Sequence, residues 1–580
     1  MGPSHPTGSP LRVVVFSGAP PRTVARLVVR LLAEAPEARV AAVLYQQRRG
    51  QPLPRRVRSF LRGLRDPDFI PYVAHRLGLA AHEAFTTAGD ALLRFVHASP
   101  RHPNGPADMQ LDDLQAFCAA RGIRFLATCD VHAPDALAFV RAQGSDLGLV
   151  YGTGILKPAL FELPRLGSIN IHQRKVPDYR GGGPIGLWEL LDDQPEIGVT
   201  VHRVVQEVDA GAVLDTETIP IQEFDTLDSL GLKAQVVGHD LLVRTVRRFA
   251  KGTVVEQPQP SAGRVFRTPP PQKLHRLLEQ LRKRRPIRAT SPTRPVVKLL
   301  ARWCILLPYV VARNWRCRWR QSFPVVILYH HLVADRAHVD GITTDGYRAH
   351  VEYLRKHYRL ASLEEAVAML ESGRVPVPTV VLTLDDGYAD NFLGLRAIVE
   401  DSGVPVAMFV STELVSGQRE FPHDIEANLR GFLPLTEEQV VHMSRSGFEI
   451  GSHTRSHFNC GSSDEAALRR EIVESKADLE ALLHTPQRFF AFPWGLPANM
   501  SAAALQIAQT TYRYVLSAFG GCNRPGTASR WWHLQRCPHP NHLWELELQI
   551  QSVLELREPN VDVRPGRRAV EARPTVVGGP

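Results

Sequence analysis

The chain has 580 residues, 44% hydrophobic and 22% charged, with a formal net charge of +10. That length excludes a single ordinary core and points to two or three domains, and the apolar content excludes a disordered chain. Seven scattered cysteines, an odd number with no CxxC spacing, exclude a disulfide frame and a cysteine zinc site and suit a reducing compartment.

Residues 1–10 contain no basic segment followed by an apolar run and read as a disordered lead. No apolar run anywhere reaches about 18 residues, so the expectation is a cytoplasmic protein without a membrane span. From Leu11 the chain alternates. Leu11–Phe16 is a buried-strand pattern, Val24–Ala35 a helix, and Val40–Tyr45 the next strand. Arg48–Arg65 is an arginine-rich insertion, expected as a solvated helix face. Arg124–Ala127, Leu147–Tyr151 and Gly167–His172 are further strands, with a helix over Pro134–Gln143. Strand and helix in this rhythm predict a parallel α/β sheet over residues 11–255, without the GxGxxG of a dinucleotide site.

Residues 256–322 break the alternation. Pro258–Pro271 is proline-rich, Gln272–Arg285 predicts a basic helix, and Val296–Val311 is apolar but leads into Arg313, Arg316, Arg318 and Arg320. Between Arg264 and Arg320 lie 16 Lys+Arg and one acid, Glu279, so this connector exceeds the whole net charge and the remainder is acidic. The high pI therefore argues little for nucleic acid. Trp303, Trp315 and Trp319 sit among these charges, which makes residues 296–320 suited to an anionic membrane surface or, equally, to a domain seam. A second strand–helix series runs over residues 323–555, and residues 556–580 read as a disordered tail.

Two clusters carry chemistry. Strand Val380–Leu384 delivers Asp385, Asp386 and Gly387, and Glu449–Ile450 leads into Gly451-Ser452-His453-Thr454-Arg455-Ser456-His457. One carboxylate and two imidazoles suit a divalent metal such as zinc, and the second carboxylate can take a proton from water. The spacing of four predicts His453 and His457 on one face of a helical turn. In the amino-terminal half, Asn170 and His172 end a strand and Asp209 follows 37 residues after His172. An amide, an imidazole and a carboxylate form an acyl-transfer set: an oxyanion donor, a proton relay and a group that orients it.

Residues 323–555 resemble the polysaccharide deacetylase family (NodB homology domain) through the Asp-Asp pair, the two histidines, Tyr329-His330 and Phe490–Gly495. The resemblance implies a distorted (β/α) barrel, Asp385 as general base, and Asp386, His453 and His457 as metal ligands. Ala491 stands where many members carry arginine, and no Leu-x-x-His supplies the acid; His533, His539 and His542 are the candidates for it. Residues 11–255 resemble the 10-formyltetrahydrofolate-dependent formyltransferases, which include methionyl-tRNA and sugar N-formyltransferases. Asn170, His172 and Asp209 fall on that family's catalytic positions, and Tyr151–Pro158 also fits. The run Gln173-Arg174-Lys175-Val176 departs from it, and the small carboxy-terminal barrel of the tRNA enzymes has no counterpart here.

The expectation is thus a doubly wound parallel-sheet domain fused to a (β/α) barrel: a bifunctional enzyme that formylates an amine and hydrolyses an N-acyl amide. The resemblance implies 10-formyltetrahydrofolate and a divalent metal, with a small-molecule or lipid-linked amino sugar as substrate and residues 296–320 as a membrane-peripheral segment. The alternatives are tRNA-type formylation with RNA held on the basic connector, or one half acting as a binding module.

Overall fold

The computed structural model describes residues 9–47, 67–100, 109–260, 263–286, 288, 295–526 and 533–551. The arginine-rich run 48–65 and the tail 556–580 lie outside the described residues, as do residues 1–8 of the lead.

The first sheet has seven strands. β1 (Leu11–Ser17), β2 (Ala38–Gln46), β3 (Arg124–Thr128), β4 (Leu147–Tyr151) and β5 (Ser168–His172) run parallel in the order β3-β2-β1-β4-β5. β6 (Tyr179–Gly181) stands outside this sheet; β7 (Glu196–Arg203) and β8 (Val213–Pro220) extend it antiparallel beyond β5. The strand LRVVVFS shows why both faces are covered. Val13 and Val15 enter the core under helices α1 (Pro21–Glu34) and, farther along the chain, Leu227–Ala250. Val14 and Phe16 enter a second core with Ala136 and Val140 of the helix Pro134–Arg141. A continuous apolar run is what a doubly covered parallel strand requires.

A 29-residue helix, α2 (Phe69–His97), stands where no element was expected. After it in the chain come α3 (Leu227–Ala250), α4 (Pro271–Arg284) and α5 (Val296–Arg320). The described parts of the connector therefore carry regular structure. β9 (Arg264–Phe266) pairs with β6, and Leu274, Leu277 and Leu281 of α4 pack on the first domain's core. α5 buries Leu299, Val310 and Asn314 and docks on α2, where Asn314 Nδ2 donates to the Val96 carbonyl at 2.9 Å.

The second sheet closes. β10 (Val325–His330), β11 (Thr379–Leu384), β12 (Val406–Val410), β13 (Phe448–Ser452), β14 (Phe489–Ala491), β15 (Tyr514–Ser517) and β16 (His533–Pro538) are parallel, and β10 lies between β16 and β11, making a seven-stranded barrel. Arg359–Leu360 adds a short strand beside β11. Among the surrounding helices are α6 (Thr344–His357) and α7 (Gly394–Ser402).

Two buried ionic clusters fasten the domains. Lys233 Nζ of α3 lies 2.8 Å from Asp225 and 2.7 Å from Asp335, which follows β10. Asp240 of α3 accepts from Arg396 of α7 at 2.7 Å and pairs with Arg30 of α1 at 2.6 Å.

Candidate functional site

The first cluster lies where β11 ends. Asp386 and Gly387 both adopt left-handed backbone, with φ of 69° and 83°. A Cβ at residue 387 would sit 2.7 Å from Val410 Cγ1, so only glycine permits this tight turn. The turn defeats strand alternation and keeps both aspartates buried at the barrel mouth. Asp386 Oδ1 lies 3.5 Å from His453 Nε2 and 3.2 Å from His457 Nε2. The three side chains each aim one ligand atom at a common point, within 4.8 Å of one another.

The histidines do not share a helix. His453 follows β13, residues 454–456 form a turn, and both Thr454 (φ 64°) and His457 (φ 58°) are left-handed. The turn, rather than an i,i+4 helical face, brings the rings within 5.2 Å of each other. His453 Nδ1 lies 2.8 Å from the Ala491 carbonyl; an N–H donated there leaves Nε2 unprotonated toward Asp386. Burial holds His453 neutral, down to about 4. Burial opposes the charge of Asp386, but His457, with His331 and His423 nearby, outweighs it and holds the carboxyl below the ordinary range. Asp386 Oδ1 is buried without a hydrogen-bond partner. A buried anionic oxygen facing two imidazole nitrogens is a donor set that a divalent cation satisfies.

Asp385 is held differently. Arg536 donates Nη1 to Asp385 Oδ1 at 2.6 Å and Nη2 to Oδ2 at 2.8 Å. Burial pushes this carboxyl up, and Arg536 and His453 more than reverse it, so Asp385 stays ionised. Sequence reasoning missed Arg536. The guanidinium absent at Ala491 comes instead from β16, across β10, where Ile327 is in register with Arg536. The available signal was an arginine two residues after Leu534, at an inward position of a strand, since a buried guanidinium requires a carboxylate.

The three candidate acids are engaged elsewhere. His533 Nε2 contacts Ser517 Oγ at 2.7 Å, His539 Nε2 contacts His350 Nδ1 at 3.0 Å, and His542 caps the helix Leu543–Ile550. The excursion after β12 instead delivers His423, whose Nε2 is 3.8 Å from Asp386 Oδ2 and 2.9 Å from the Tyr388 hydroxyl. Burial, with Asp386 and Asp424 nearby, pushes the Tyr388 hydroxyl far up, so it stays protonated and donates to Asp424 at 2.9 Å. It therefore accepts from His423 Nε2–H. Trp494 stands half-exposed beside His457, ring centroids 4.5 Å apart.

The second cluster lies at the end of β5. The antiparallel register sets Asn170 opposite His202 and His172 opposite Thr200. His202 Nδ1 lies 2.8 Å from the Arg203 carbonyl, and its Nε2 lies 3.2 Å from Asn170 Nδ2, a contact that engages at most one N–H of the amide and leaves it a second. Asp209 (φ 53°) places its carboxylate 3.7 Å from His172 Nδ1 and 3.6 Å from His202 Nε2, and accepts from Gly181 N at 2.9 Å. Burial works against that carboxylate, yet His202, His172 and the Gly181 amide bring it down to about 2. Burial lowers His172 to about 4 against the pull of Asp209, so at neutral pH the imidazole is uncharged beside an ionised carboxylate. The sequence missed His202, a neighbour only once β7 folds back antiparallel. Arg174, in the departing run, is buried on Glu189 at 3.4 Å and on the Gly183 and Pro184 carbonyls. It builds the wall of the site and presents no free charge.

His172 opens into a cavity of about 1390 Å³ shared by both domains. One wall is Tyr151–Thr153 with Gly181 and Gly183; the other carries Thr87, Asp90 and Arg94 of α2, and Arg348, Arg355 and Lys356 of α6.

Residues 115–246 match the formyl transferase family and residues 372–515 match the polysaccharide deacetylase family, so the chain joins a segment of a transferase family to a segment of a hydrolase family. The methionyl-tRNA formyltransferase of Phenylobacterium zucineum (strain HLK1) is 31% identical over 199 residues, covering 34% of this chain and 61% of that protein. The methionyl-tRNA formyltransferase of Staphylococcus aureus (strain JH1) is 36% identical over 112 residues, 19% of this chain and 36% of that protein. The chain thus spans less than two thirds of the curated relatives it matches. Among solved structures, Streptococcus pyogenes deacetylase PplD in complex with acetate aligns with a TM-score of 0.33 at 20% identity, over 40% of this chain and 98% of that one. A sugar N-formyltransferase from a Shewanella species aligns with a TM-score of 0.28 at 15% identity, over 44% of this chain and 76% of that one. Structural likeness at this level carries no functional weight.

Proposed function

We propose that this chain transfers a formyl group from 10-formyltetrahydrofolate to the amine of an amino sugar, and hydrolyses an N-acyl amide of a carbohydrate at a divalent metal. The observation that carries this reading is the pair of strand-end clusters, Asn170/His172/Asp209 and Asp385/Asp386/His453/His457, each in a segment matching a family of the corresponding chemistry.

In the transfer half, the free N–H of Asn170 is placed to donate to the formyl oxygen as charge develops there. His172, uncharged at neutral pH, donates Nε2–H to the Tyr179 carbonyl at 3.0 Å, so its Nδ1 can accept the proton that the attacking amine loses, and the Asp209 carboxylate 3.7 Å from that nitrogen stabilises the imidazolium so formed. The cavity exceeds the usual volume for one small ligand, about 300–1,000 Å³, which supports donor and acceptor being held together. Cations on α2 and α6 support an acceptor bearing phosphate, free or lipid-linked.

In the hydrolytic half, zinc or a similar cation held by Asp386, His453 and His457 supplies Lewis acidity to the acyl carbonyl. Asp385, oriented by Arg536, takes the proton of the attacking water. His423, 3.8 Å from Asp386 and with its ring 4.6 Å from that of His457, is the imidazole assigned to carry a proton to the leaving amine, the role for which the sequence offered only His533, His539 and His542. Burial lowers its pKa, so it gives that proton up readily once it has gained one. Trp494 offers a flat apolar wall to a sugar ring.

The test incubates the full chain with the formyl donor and a panel of amino sugars, and separately with N-formyl and N-acetyl sugars, reading products by mass spectrometry. Asn170→Ala should abolish the first activity only and Asp386→Ala the second only. Formylation of charged initiator tRNA with no amino sugar accepted would favour the second reading, which the names of the curated relatives support. Hydrolysis that survives both chelation and Asp386→Ala would sink the metal mechanism. A chain that binds N-acyl sugars without turning them over would make the barrel a binding module.

A further inference from the structure

The outward face of α5 is apolar. Along it lie Val297, Ala301, Ile305, Pro308, Tyr309, Ala312 and Trp319, clustered on one side of the helix and all exposed. Val297, Ile305 and Trp319 are 78%, 76% and 81% exposed. A helix resting on a protein core ordinarily shows polar residues to water, and here the water-facing side is apolar as well as the packed side, where Leu299, Val310, Leu306 and Leu307 lie. The patch continues onto α2. Phe95 packs on Trp315 with ring centroids 5.6 Å apart, and Leu92, one turn earlier, is also exposed.

Charge surrounds this face in one sign only. α5 contains Lys298, Arg302, Arg313, Arg316, Arg318 and Arg320 and no acidic residue. Among the described residues, Lys298, Arg302, Arg316 and Arg320 enter no ion pair. No helix among the described residues is long and apolar enough to cross a membrane. α5 therefore cannot be a span, whereas an apolar stripe flanked by cations and indole rings is the composition of a helix lying in a lipid–water interface.

We propose that the exposed face of α5, extended by Leu92 and Phe95 of α2, docks on an anionic phospholipid surface. Two alternatives meet opposing physics. A second copy seated on this face through a two-fold axis would set the cations of α5 against their own counterparts. Nucleic acid would meet the cations but leave Val297, Ile305 and Tyr309 against phosphate. A lipid surface satisfies both, since headgroups neutralise the cations while acyl chains cover the stripe. The surface also adjoins the acceptor cavity, because Thr87, Asp90 and Arg94 of α2 line that cavity. Docking there sets the cavity beside the membrane, whatever acceptor it takes.

The experiment is flotation of the full chain with vesicles of phosphatidylcholine, with or without phosphatidylglycerol. Binding is expected to the anionic vesicles and to weaken with salt. Ile305→Ser with Trp319→Ser should weaken it at least about tenfold. Lys298→Ala and Arg316→Ala should each weaken it about fivefold. All four positions lie on the water-facing side of the helix, so circular dichroism and thermal unfolding should be unchanged. No binding to anionic vesicles, or binding that the Ile305/Trp319 variant retains, overturns the proposal. So does a dimer that this variant converts to monomer in a chain that ignores vesicles.

Discussion

Replacing Lys233 by methionine tests how the two domains hold each other. The ammonium is buried between Asp225 and Asp335, at 2.8 Å and 2.7 Å, with all three side chains almost wholly excluded from solvent. Asp225 also accepts from Ser229 Oγ at 2.6 Å, and Asp335 from Thr344 Oγ1 at 2.7 Å. These bonds fix the carboxylates in place and cannot neutralise them. Lys233→Met removes the only cation in the triad and leaves two buried carboxylates facing each other. Breaking a buried pair on one side costs about 3–5 kcal/mol. Burial opposes the ammonium, yet Asp335 and Asp225 raise its pKa, so in the parent its contribution is complete at neutral pH and fades only as pH climbs through that raised value.

In the variant the sign reverses for the carboxylates. Without the ammonium, burial and mutual repulsion lift at least one folded-state pKa well above its unfolded value, as burial already does for Asp225. Such a group is most favourable below its unfolded pKa and loses stability as pH rises. The deficit relative to the parent should therefore be about 3–5 kcal/mol near about pH 7.5 and shrink by more than half near about pH 4.5. Urea unfolding of the full chain, followed by circular dichroism at both pH values, reads this directly. Adding Asp225→Asn and Asp335→Asn should recover most of the loss, since removing all the charges is far less costly than removing one. A deficit below about 1 kcal/mol at neutral pH, or one that does not change with pH, would refute the reasoning.

At the barrel mouth, His457→Ala should reduce bound divalent metal, read by elemental analysis of the purified chain, from stoichiometric to near zero. Asp385→Asn should keep the metal and lower kcat of deacylation by about 10²–10⁴; loss of metal in this variant would show that Asp385 is a ligand instead. Asn170→Ala should lower kcat of formyl transfer by about 10²–10³ with KM little changed, checked by steady-state kinetics. Burial holds His330, His350, His357 and His533 each near about 4, against an ordinary 6.5. Their neutral forms stabilise the fold fully above about 6.5, and that stability is lost as pH falls toward about 4, at about 1 kcal/mol per histidine by pH 5.5. Thermal unfolding between these limits should show Tm falling steeply, and a flat Tm would contradict it.

The parts of both sites legible in the sequence were those fixed by local rules. Asp385 and Asp386 follow an apolar strand, and Asn170 and His172 end another, so their place at a strand end could be read from residue order. The glycine after Asp386 marked the turn. The reading of His453 and His457 as a helical pair failed because spacing fixes a distance along the chain and not the backbone that spans it; two left-handed residues make a turn of the same reach. α2 carries its charged residues, His75, Arg76, Glu83, Asp90 and Arg94 among them, on one side and most of its apolar residues on the other, a helical period that the sequence holds and that the strand–helix alternation around it overshadowed.

The sequence by itself determined two α/β domains, the residue types at two strand ends, and a cationic, tryptophan-bearing connector. Local pattern suffices for these, because strand, helix and turn preferences act over a few residues. Only the tertiary structure decided which groups meet. Arg536 reaches Asp385 across 151 residues because the barrel closes with β10 between them. His202 reaches Asn170 because β7 returns antiparallel. α6 of the barrel walls the cavity of the other domain because Lys233 and Asp240 lock α3 against it. Which face of α5 meets water was likewise set by what the helix packs against. Charge pairing and burial are properties of neighbours in space, and sheet order and domain docking choose those neighbours.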